Sequence, residues 1–376
     1  MPFQQLTPIP LGPCPERPLV SIFVANYNYA AYVGQAIDSV LGQTYPCFEL
    51  IVCDDGSTDN SWEVIESYVQ RDDRVKLIRT TNSGQGSAWN TAFVESKGQI
   101  ICTLDADDTF RPDKLETVVR HFAQHPSTGL AIHPLMVIDQ VDRAIMRIPF
   151  MTGFEEGWIA ERVLRRGGRW RFLPASALCF RREVANHVFP IPATLFRRTA
   201  DGFVFTLAPL LAPVSFIPDI LGSYRVHGSN GMSSSRLDAK TAERVLSAIE
   251  RITQGVNQRL SELGFADGML ELQRNLTFLE HSFQLALFDR IPRRQLVSKY
   301  LALLANLWAD DLYSRSQKAL GMFVFGVALL LPIPLRSLWL SQTIGFTRTK
   351  HVVQTIVGML KRFSRTGRAR LASLEE

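Results

Sequence analysis

The chain has 376 residues, of which 46% are hydrophobic and 20% are charged, and its formal net charge is +5. This composition excludes a disordered or low-complexity protein, and the length allows about two domains. The net charge is modest overall, although residues 348–370 form a strongly basic stretch.

The cysteine pattern argues against zinc and disulfide chemistry. The five cysteines are Cys14, Cys47, Cys53, Cys102 and Cys179, an odd number without a Cys-x-x-Cys pair. This pattern favours a reducing compartment. The proline-rich residues 1–18 lack the charged start and long apolar run of a signal peptide, and we interpret them as an irregular lead-in.

From Leu19 onward, short apolar runs alternate with helical patterns. The predicted strands are 19–25, 48–53, 75–79 and 99–104, and the predicted helices are 30–41, 61–69, 86–94 and 112–124. This rhythm is typical of βαβ units and predicts an α/β domain with a mostly parallel sheet and helices on both faces. Further strand-like runs lie at 128–150, 175–180 and 214–217, and we place the domain at residues 19–233.

After Ser234 the sequence changes to long helical patterns that carry no chemical motif. These patterns lie at 237–263, 268–289 and 293–312, and we interpret residues 234–318 as a helical appendage.

Residues 319–376 combine an apolar segment with the basic tail. The apolar run at 319–340 approaches the length of a membrane span, but Pro332, Pro334 and Arg336 interrupt it. Two interpretations stay open, a membrane-associating segment or a buried core helix or hairpin. A crossing would place the basic tail outside the cell, against the positive-inside tendency. We therefore favour peripheral or monotopic attachment to the cytoplasmic face of the plasma membrane.

The stretch QIICTLDADD at 99–108 joins a buried strand to three carboxylates, Asp105, Asp107 and Asp108. Strand ends at the carboxyl edge of an open α/β sheet are where such folds bind ligands. Clustered carboxylates repel one another and favour a hard cation such as Mg²⁺ or Mn²⁺. The alternative is that Asp107 and Asp108 cap the helix predicted to begin near Pro112.

Four other polar clusters also follow predicted strands. They are Ala25 to Asn28, Asp54 to Asp59, Asn82 to Ser87 with Asn90, and Tyr224 to Asn230. A carboxylate in the second cluster can accept a hydrogen bond from a base N–H, although a turn with a helix cap is the better explanation of Ser57 to Asp59 considered alone. The glycine-rich third cluster opens a helix and can approach a phosphate or a sugar.

The motifs DDGSTD at 54–59, NSGQGSAWN at 82–90 and LDADD at 104–108 together resemble the family 2 glycosyltransferases with the GT-A fold. The opening VSIFVANYN and the run IDSVLGQTY at 37–45 are also similar to that family. The resemblance is strong over 19–115, moderate to about Asn230 and absent beyond. It implies a Rossmann-like GT-A domain, followed here by the helical region.

The resemblance also implies roles for individual residues. Asp55 would contact the uracil of a UDP-sugar, and Ala25 would lie along the nucleoside. Asp107 and Asp108 would lie nearest the metal and the diphosphate, with Asp105 in support. The remaining residues expected to contact the nucleotide sugar are Asn26, Asp54, Asn82, Gly84 and Arg225.

Two further roles come from the second half of the domain. Asp201 matches the family's catalytic base, although the family usually has an acid where this chain has Ala200. His227, in a segment similar to the family's late YRxH motif, would approach the metal and the diphosphate.

The sequence thus predicts an inverting, metal-dependent glycosyltransferase. It would move a sugar from a UDP-linked donor to a hydroxyl of a saccharide or lipid-linked acceptor at the inner membrane surface, in surface polysaccharide assembly, with no nucleic-acid partner. Two alternatives remain: a sugar-nucleotide nucleotidylyltransferase, and a non-catalytic membrane-associated scaffold that keeps the fold. The predicted strand at 19–25 is not followed by the glycine-rich, basic loop that the first alternative requires.

Overall fold

The computed structural model describes residues 6–148, 154–227, 239–265, 269–288 and 291–331. The chain divides into two compact units, Met1–Ser233 with Glu250–Glu271, and Ser234–Ile249 with Leu272–Glu376. The boundary near Ser233 recurs in this division, but the segment Glu250–Glu271 joins the first unit. The assignment of the four sequence regions to separate domains stays a prediction.

The first unit contains a central sheet and a smaller second sheet. The strands are β1 (Val20–Asn26), β2 (Phe48–Asp54), β3 (Val75–Arg79), β4 (Ile100–Asp105), β5 (Thr109–Phe110), β6 (Leu130–Ile132), β7 (Leu135–Ile138), β8 (Ala144–Ile148), β9 (Leu178–Arg181), β10 (Val214–Phe216) and β11 (Gly222–Arg225). The seven-stranded sheet has the order β10-β6-β9-β4-β1-β2-β3, and the four-stranded sheet has the order β5-β11-β7-β8. In the larger sheet only the pairs that involve β9 are antiparallel among the described residues.

The helices follow in chain order. They are α1 (Val33–Leu41), α2 (Ser61–Val69), α3 (Gln85–Glu95), α4 (Lys114–Gln124), α5 (Ala160–Arg165), α6 (Arg182–Val188), α7 (Ala200–Leu211), α8 (Ala239–Glu262), α9 (Leu276–Phe288), α10 (Arg293–Ala309) and α11 (Arg315–Leu330). Short 3-10 helices lie at Ala175–Ala177 and Leu272–Arg274.

The continuous apolar strands form because both faces of the large sheet are covered. Ile22 and Leu50 point into a core with α1, α2 and α4, whereas Phe23 and Ile51 point into a second core with α3, α6 and α7. Successive side chains of a strand point to opposite faces, so each strand contributes to both cores. The carboxyl ends of β1, β2 and β4 therefore meet at one rigid edge of the sheet.

The predicted α/β class with a mostly parallel sheet, helices on both faces and a C-terminal helical region is confirmed. The sequence did not reveal the short strands β5 and β11 or the helices α5 and α6. The helix after the acidic motif begins at Lys114, two residues later than predicted.

The described part of the second unit has its own core between α9, α10 and α11. Phe283 meets Phe325 edge-on with ring centroids 5.8 Å apart, and the Tyr300 hydroxyl donates to the Met322 carbonyl. Val324 and Ala328 of α11 are buried in the same core, as the core-helix interpretation expects for this part of the apolar segment. No helix in the described part of the chain combines the length and the apolar character needed to cross a bilayer. Residues 332–376, including the basic tail, lie outside the described residues.

Candidate active site

The acidic turn, which comprises Asp105 to Asp108 at the end of β4, is held by hydrogen bonds from two segments that are distant in the chain. The N–H of Asp105 donates to Ser176 Oγ (3.0 Å), which itself donates to Asp108 Oδ2 (2.5 Å). The N–H of Arg225 donates to the other oxygen, Asp108 Oδ1 (2.8 Å). Asp108 is 1% exposed and holds the turn in place. The N-cap of α4 is Asp113, so the alternative interpretation of Asp107 and Asp108 as its caps is wrong.

Asp107 and His227 form a second contact across the site. Nε2 of His227 lies 2.9 Å from Asp107 Oδ2, and both side chains are largely buried. The imidazole stacks on Tyr32 at 5.0 Å and meets Tyr29 edge-on at 5.9 Å. The two tyrosine rings restrict the orientation of the imidazole, and Nε2 of His227 is directed at Asp107. The residues that follow, Gly228 to Asn230 of the predicted motif, lie outside the described residues.

Arg225 is buried beneath this pair with 1% exposure. Its guanidinium donates to the carbonyl of Asp107 (2.8 Å), to Gln35 (2.8 Å) and to Asp142 (2.7 Å). The guanidinium therefore holds the backbone of the acidic turn through the carbonyl of Asp107. Its predicted contact with the nucleotide sugar stays a prediction.

Burial makes the acidic turn electrostatically costly. Desolvation, together with the charges of Asp108, Asp107 and Asp201, raises the pKa of Asp105 well above its usual range. Desolvation and the charge of Asp107 raise the pKa of Asp108 to about 8. The same carboxylates contribute to the raised pKa of Tyr29, after burial. A positive charge bound here would relieve this repulsion.

The donor set suits a hard divalent cation, because carboxylate oxygens are its preferred ligands. Within the described ranges, however, no three His, Cys, Asp or Glu side chains are arranged to hold a metal by themselves. Mg²⁺ and Mn²⁺ usually bind through one or two carboxylates together with substrate phosphates. The residues fit a cation that completes its ligands with a diphosphate.

The ends of β1 and β2 carry a cluster of hydrogen-bonded polar side chains. Asn26 Nδ2 donates to Asp54 Oδ2 (2.8 Å) and to Ser57 Oγ (3.1 Å), which fixes the orientation of the amide. Asn26 Oδ1 is then a buried acceptor without a protein partner. Ala25 lies in register between Cys53 and Asp105, at the centre of this edge.

Asp55 anchors the glycine-rich loop that follows β3. Its two carboxylate oxygens accept the N–H groups of Ser83 (2.8 Å) and Gly84 (2.7 Å). Gly84 has φ +92°, and a Cβ atom there would lie 2.3 Å from Arg197 Cα, so only glycine fits. Asn82 Oδ1 accepts from the Arg197 guanidinium (2.7 Å), which ties the loop to the chain before α7.

Asp201 lies in the first turn of α7. Its Oδ1 accepts the N–H of Gly202 (2.9 Å), and burial raises the pKa of Asp201 above the usual range of a carboxyl group. Its charge also contributes to the raised pKa of Asp105, so the two carboxylates lie within electrostatic reach. Several residues that were predicted separately from the sequence therefore lie together. His227 and Arg225 contact the acidic turn directly, and the charge of Asp201 acts on Asp105.

Several residues of the site were not predicted from the sequence. Ser176 bridges Asp105 and Asp108, Tyr32 holds His227, and the fully buried Lys114 donates to the Ser176 carbonyl (2.8 Å). Burial lowers the pKa of Lys114. The only local signal is the polar Ser176 within an otherwise apolar run, because the contacts join segments far apart in the chain.

Comparison with known proteins gives the family. Residues 21–189 match the model of glycosyl transferase family 2. An uncharacterized glycosyltransferase of Nostoc sp. is 36% identical over 261 residues, which cover 69% of this chain and 80% of that relative. The chain therefore belongs to glycosyltransferase family 2, as the motifs indicated, and it is a glycosyltransferase.

Two other matches are shorter or more distant. The chondroitin synthase of Pasteurella multocida is 39% identical over 120 residues, 32% of this chain and 12% of that protein. A crystal structure of residues 1–349 of S. aureus TarS in complex with UDP-GlcNAc superposes with a TM-score of 0.51 at 16% identity, covering 89% of both chains. This last likeness is one of fold.

Proposed function

We propose that the protein transfers a sugar from a UDP-linked donor to a hydroxyl of a saccharide or lipid-linked acceptor, with inversion and with a divalent cation. The observation that carries the proposal is the buried acidic turn with Asp201 within electrostatic reach. The three clustered carboxylates, with the charge of Asp201 acting on Asp105, make a place where a cation and a diphosphate relieve charge, close to a group that can accept a proton.

Asp107 and His227, supported by Asp105, would hold the cation, while Asp108 keeps the turn closed. When bound, Mg²⁺ or Mn²⁺ acts as a Lewis acid that stabilises the charge on the departing nucleoside diphosphate. Arg225 contributes by fixing the carbonyl of Asp107 and the carboxylate of Asp108. The ring of Tyr32 keeps His227 oriented toward the site.

The nucleotide would lie across the ends of β1, β2 and β3. The unpartnered oxygen of Asn26 is an acceptor suited to a base N–H, and Asp54 fixes that amide. Asp55 was expected to contact uracil directly; its bonds to Ser83 and Gly84 support a second contribution, which is to shape the loop beside the base. TarS, which shares the fold, was crystallised with UDP-GlcNAc, and we propose a uridine donor for this chain as well.

Asp201 would remove the proton from the attacking acceptor hydroxyl. Burial raises the pKa of Asp201, and a carboxylate with a raised pKa is, when ionised, a stronger base than an ordinary one. One base and one departing diphosphate define a single displacement, which inverts the anomeric centre.

We further propose that the product belongs to a surface polysaccharide or glycolipid. The reason is that one relative, chondroitin synthase, is named for the synthesis of a polysaccharide. Nucleotide sugars are made in the cytoplasm, so the enzyme would act at the cytoplasmic face of the plasma membrane. Exposed Trp308 of α10, exposed Phe323 and Leu330 of α11, and the basic tail favour contact with anionic lipid.

A donor panel tests the proposal. The full-length protein is incubated with UDP- and GDP-sugars, Mn²⁺ and a membrane extract as acceptor, and nucleotide release and radiolabel transfer are followed. Transfer from a UDP-sugar supports the assignment. Transfer from GDP-sugars alone would replace the uridine donor, and no release from any donor would contradict the function.

A further inference from the structure

The start of α3 and the segment that leads into α7 supply hydrogen-bond acceptors to each other. The first N–H groups of a helix have no partner within it. In α3, those of Gln85 and Gly86 donate to the carbonyls of Arg197 (2.9 Å) and Phe196 (3.1 Å). In return, Gln85 Oε1 accepts the N–H of Ala200, the first residue of α7, at 3.2 Å. The chain before α7 thus accepts from the first N–H groups of α3, and a side chain of α3 accepts from the first N–H group of α7.

The contact matters because the N-cap residue of α7 supplies no side-chain acceptor to the helix. Its N-cap residue Thr199 adopts φ +76°, a left-handed conformation that is rare for a β-branched residue. The Thr199 side chain makes no capping bond, and its Oγ1 is a buried atom without a partner. Gln85 therefore supplies, from another helix, an acceptor for the first N–H of α7.

The same residues are tied to the nucleotide side of the site. The Gly84 backbone lies directly against Arg197, whose guanidinium also bonds to Asn82. Asp55 holds Gly84 and its neighbour from the opposite side. Because no space separates the loop from the segment 196–200, a shift of the loop displaces the start of α7.

We propose that Gln85 is a positioning residue for Asp201, and that it couples the placement of this base to occupancy of the nucleotide loop 82–84. The inference rests on the proposed function, since it takes Asp201 as the base and the loop as part of the nucleotide site. In this proposal Gln85 contacts protein groups alone and needs no contact with the sugar or the cation. It acts through the backbone of Ala200, next to Asp201.

Two substitutions of Gln85 separate positioning from packing. Gln85→Met keeps the length of the side chain but removes the acceptor oxygen, whereas Gln85→Glu retains an acceptor. We expect Gln85→Met to lower kcat about tenfold or more, with the KM for the UDP-sugar unchanged, since small misplacement of a catalytic group is costly. Gln85→Glu restores most of the kcat and moves the pH profile to higher pH, because the added carboxylate disfavours ionisation of Asp201. The exposed Gln124, substituted to Met, is the matched control.

Hydrogen–deuterium exchange gives a readout that does not need turnover. Addition of UDP slows exchange in peptides covering 196–205 in the unsubstituted protein and in Gln85→Glu, but not in Gln85→Met. The inference is overturned if Gln85→Met keeps full kcat, if it changes only KM, or if Gln85→Glu recovers thermal stability without recovering kcat. Failure of the proposed function is distinct, because then the unsubstituted protein releases no UDP at all.

Discussion

Asp107 and Asp108 are adjacent in the chain but differ in what their carboxylates contact. Asp108 uses both oxygens to close the turn through Ser176 and Arg225, whereas Asp107 faces His227. We therefore propose that the two residues contribute differently to one site, Asp108 to its shape and Asp107 to the bound cation.

We expect Asp107→Asn and Asp108→Asn each to lower metal-dependent turnover by about 100-fold or more, since a bound cation stabilises the departing charge by several kcal/mol. Only Asp108→Asn should also lower the thermal midpoint, because an amide cannot accept both hydrogen bonds. Turnover, thermal unfolding and Mn²⁺ binding in the presence of UDP are the measurements. Asp113→Asn, at an exposed pair with Arg111, is the control. Near-native rates in either variant at saturating Mn²⁺ would show that the assignment is wrong.

Asp201 is predicted to act in its ionised form. Burial raises its pKa, so kcat should rise with pH through a value above the ordinary carboxyl range and fall as the group is protonated at lower pH. Asp201→Asn should lose about 10²- to 10⁴-fold in kcat while its affinity for UDP stays unchanged, because a base acts on the acceptor. Calorimetric titration with UDP and a kcat–pH profile check both parts. An unchanged kcat would move the base elsewhere, with Asp219 the first residue to examine.

Sequence patterns identified candidate residues that lie next to a predicted strand. They missed residues that reach the site through contacts with distant parts of the chain. Asp105 and Asp107 follow a buried strand, so their position at the sheet edge could be predicted. Ser176 and Tyr32 act through contacts with residues far along the chain, and no spacing rule connects such residues. The sequence did not indicate that the Arg225 guanidinium donates to the carbonyl of Asp107, to Asp142 and to Gln35, and its contact with the nucleotide stays a prediction.

At the scale of elements, the glycine-rich loop 82–84 depends on Asp55. We expect Asp55→Ala to weaken UDP binding, because the N–H groups of Ser83 and Gly84 lose their acceptors and the loop shifts. Gly84→Ala should weaken it as well, since a Cβ atom collides with Arg197. Asp72→Ala, in the turn before β3, is a matched carboxylate control. Calorimetry with UDP is the measurement, and an unaltered affinity in Asp55→Ala would refute the role.

Long apolar runs predicted β1, β2 and β4 well because these strands are buried on both faces. The strands that were not predicted, β5 and β11, have only 2 and 4 residues. Such strands carry too little pattern, and their pairing depends on distant partners. The carboxyl edge with its acids was therefore predictable, whereas the elements that close the site over it were not.

At the scale of the whole molecule, attachment to a membrane remains a prediction. We expect the full-length protein to float with anionic liposomes, and binding to weaken at high salt, because each basic residue near the surface contributes about 1 kcal/mol. Truncation after Leu331 removes the basic tail but leaves α11 in its core, so it should reduce flotation without unfolding the second unit. A thermal melt of the truncated protein checks the latter.

Two outcomes would contradict monotopic attachment. A full-length protein that stays entirely unbound would favour an ordinary core helix. A tag after Glu376 that external protease reaches in intact cells would indicate a true span.

The central claim is that a cation held at the acidic turn enables transfer from a UDP-sugar. The most direct measurement is UDP release by the full-length protein in the presence of its active UDP-sugar and acceptor extract, first with Mn²⁺, then with excess chelator, then with Mn²⁺ restored. The account predicts release with Mn²⁺, its loss with chelator, and its recovery when the cation is returned. Release that continues unchanged in excess chelator would contradict the account.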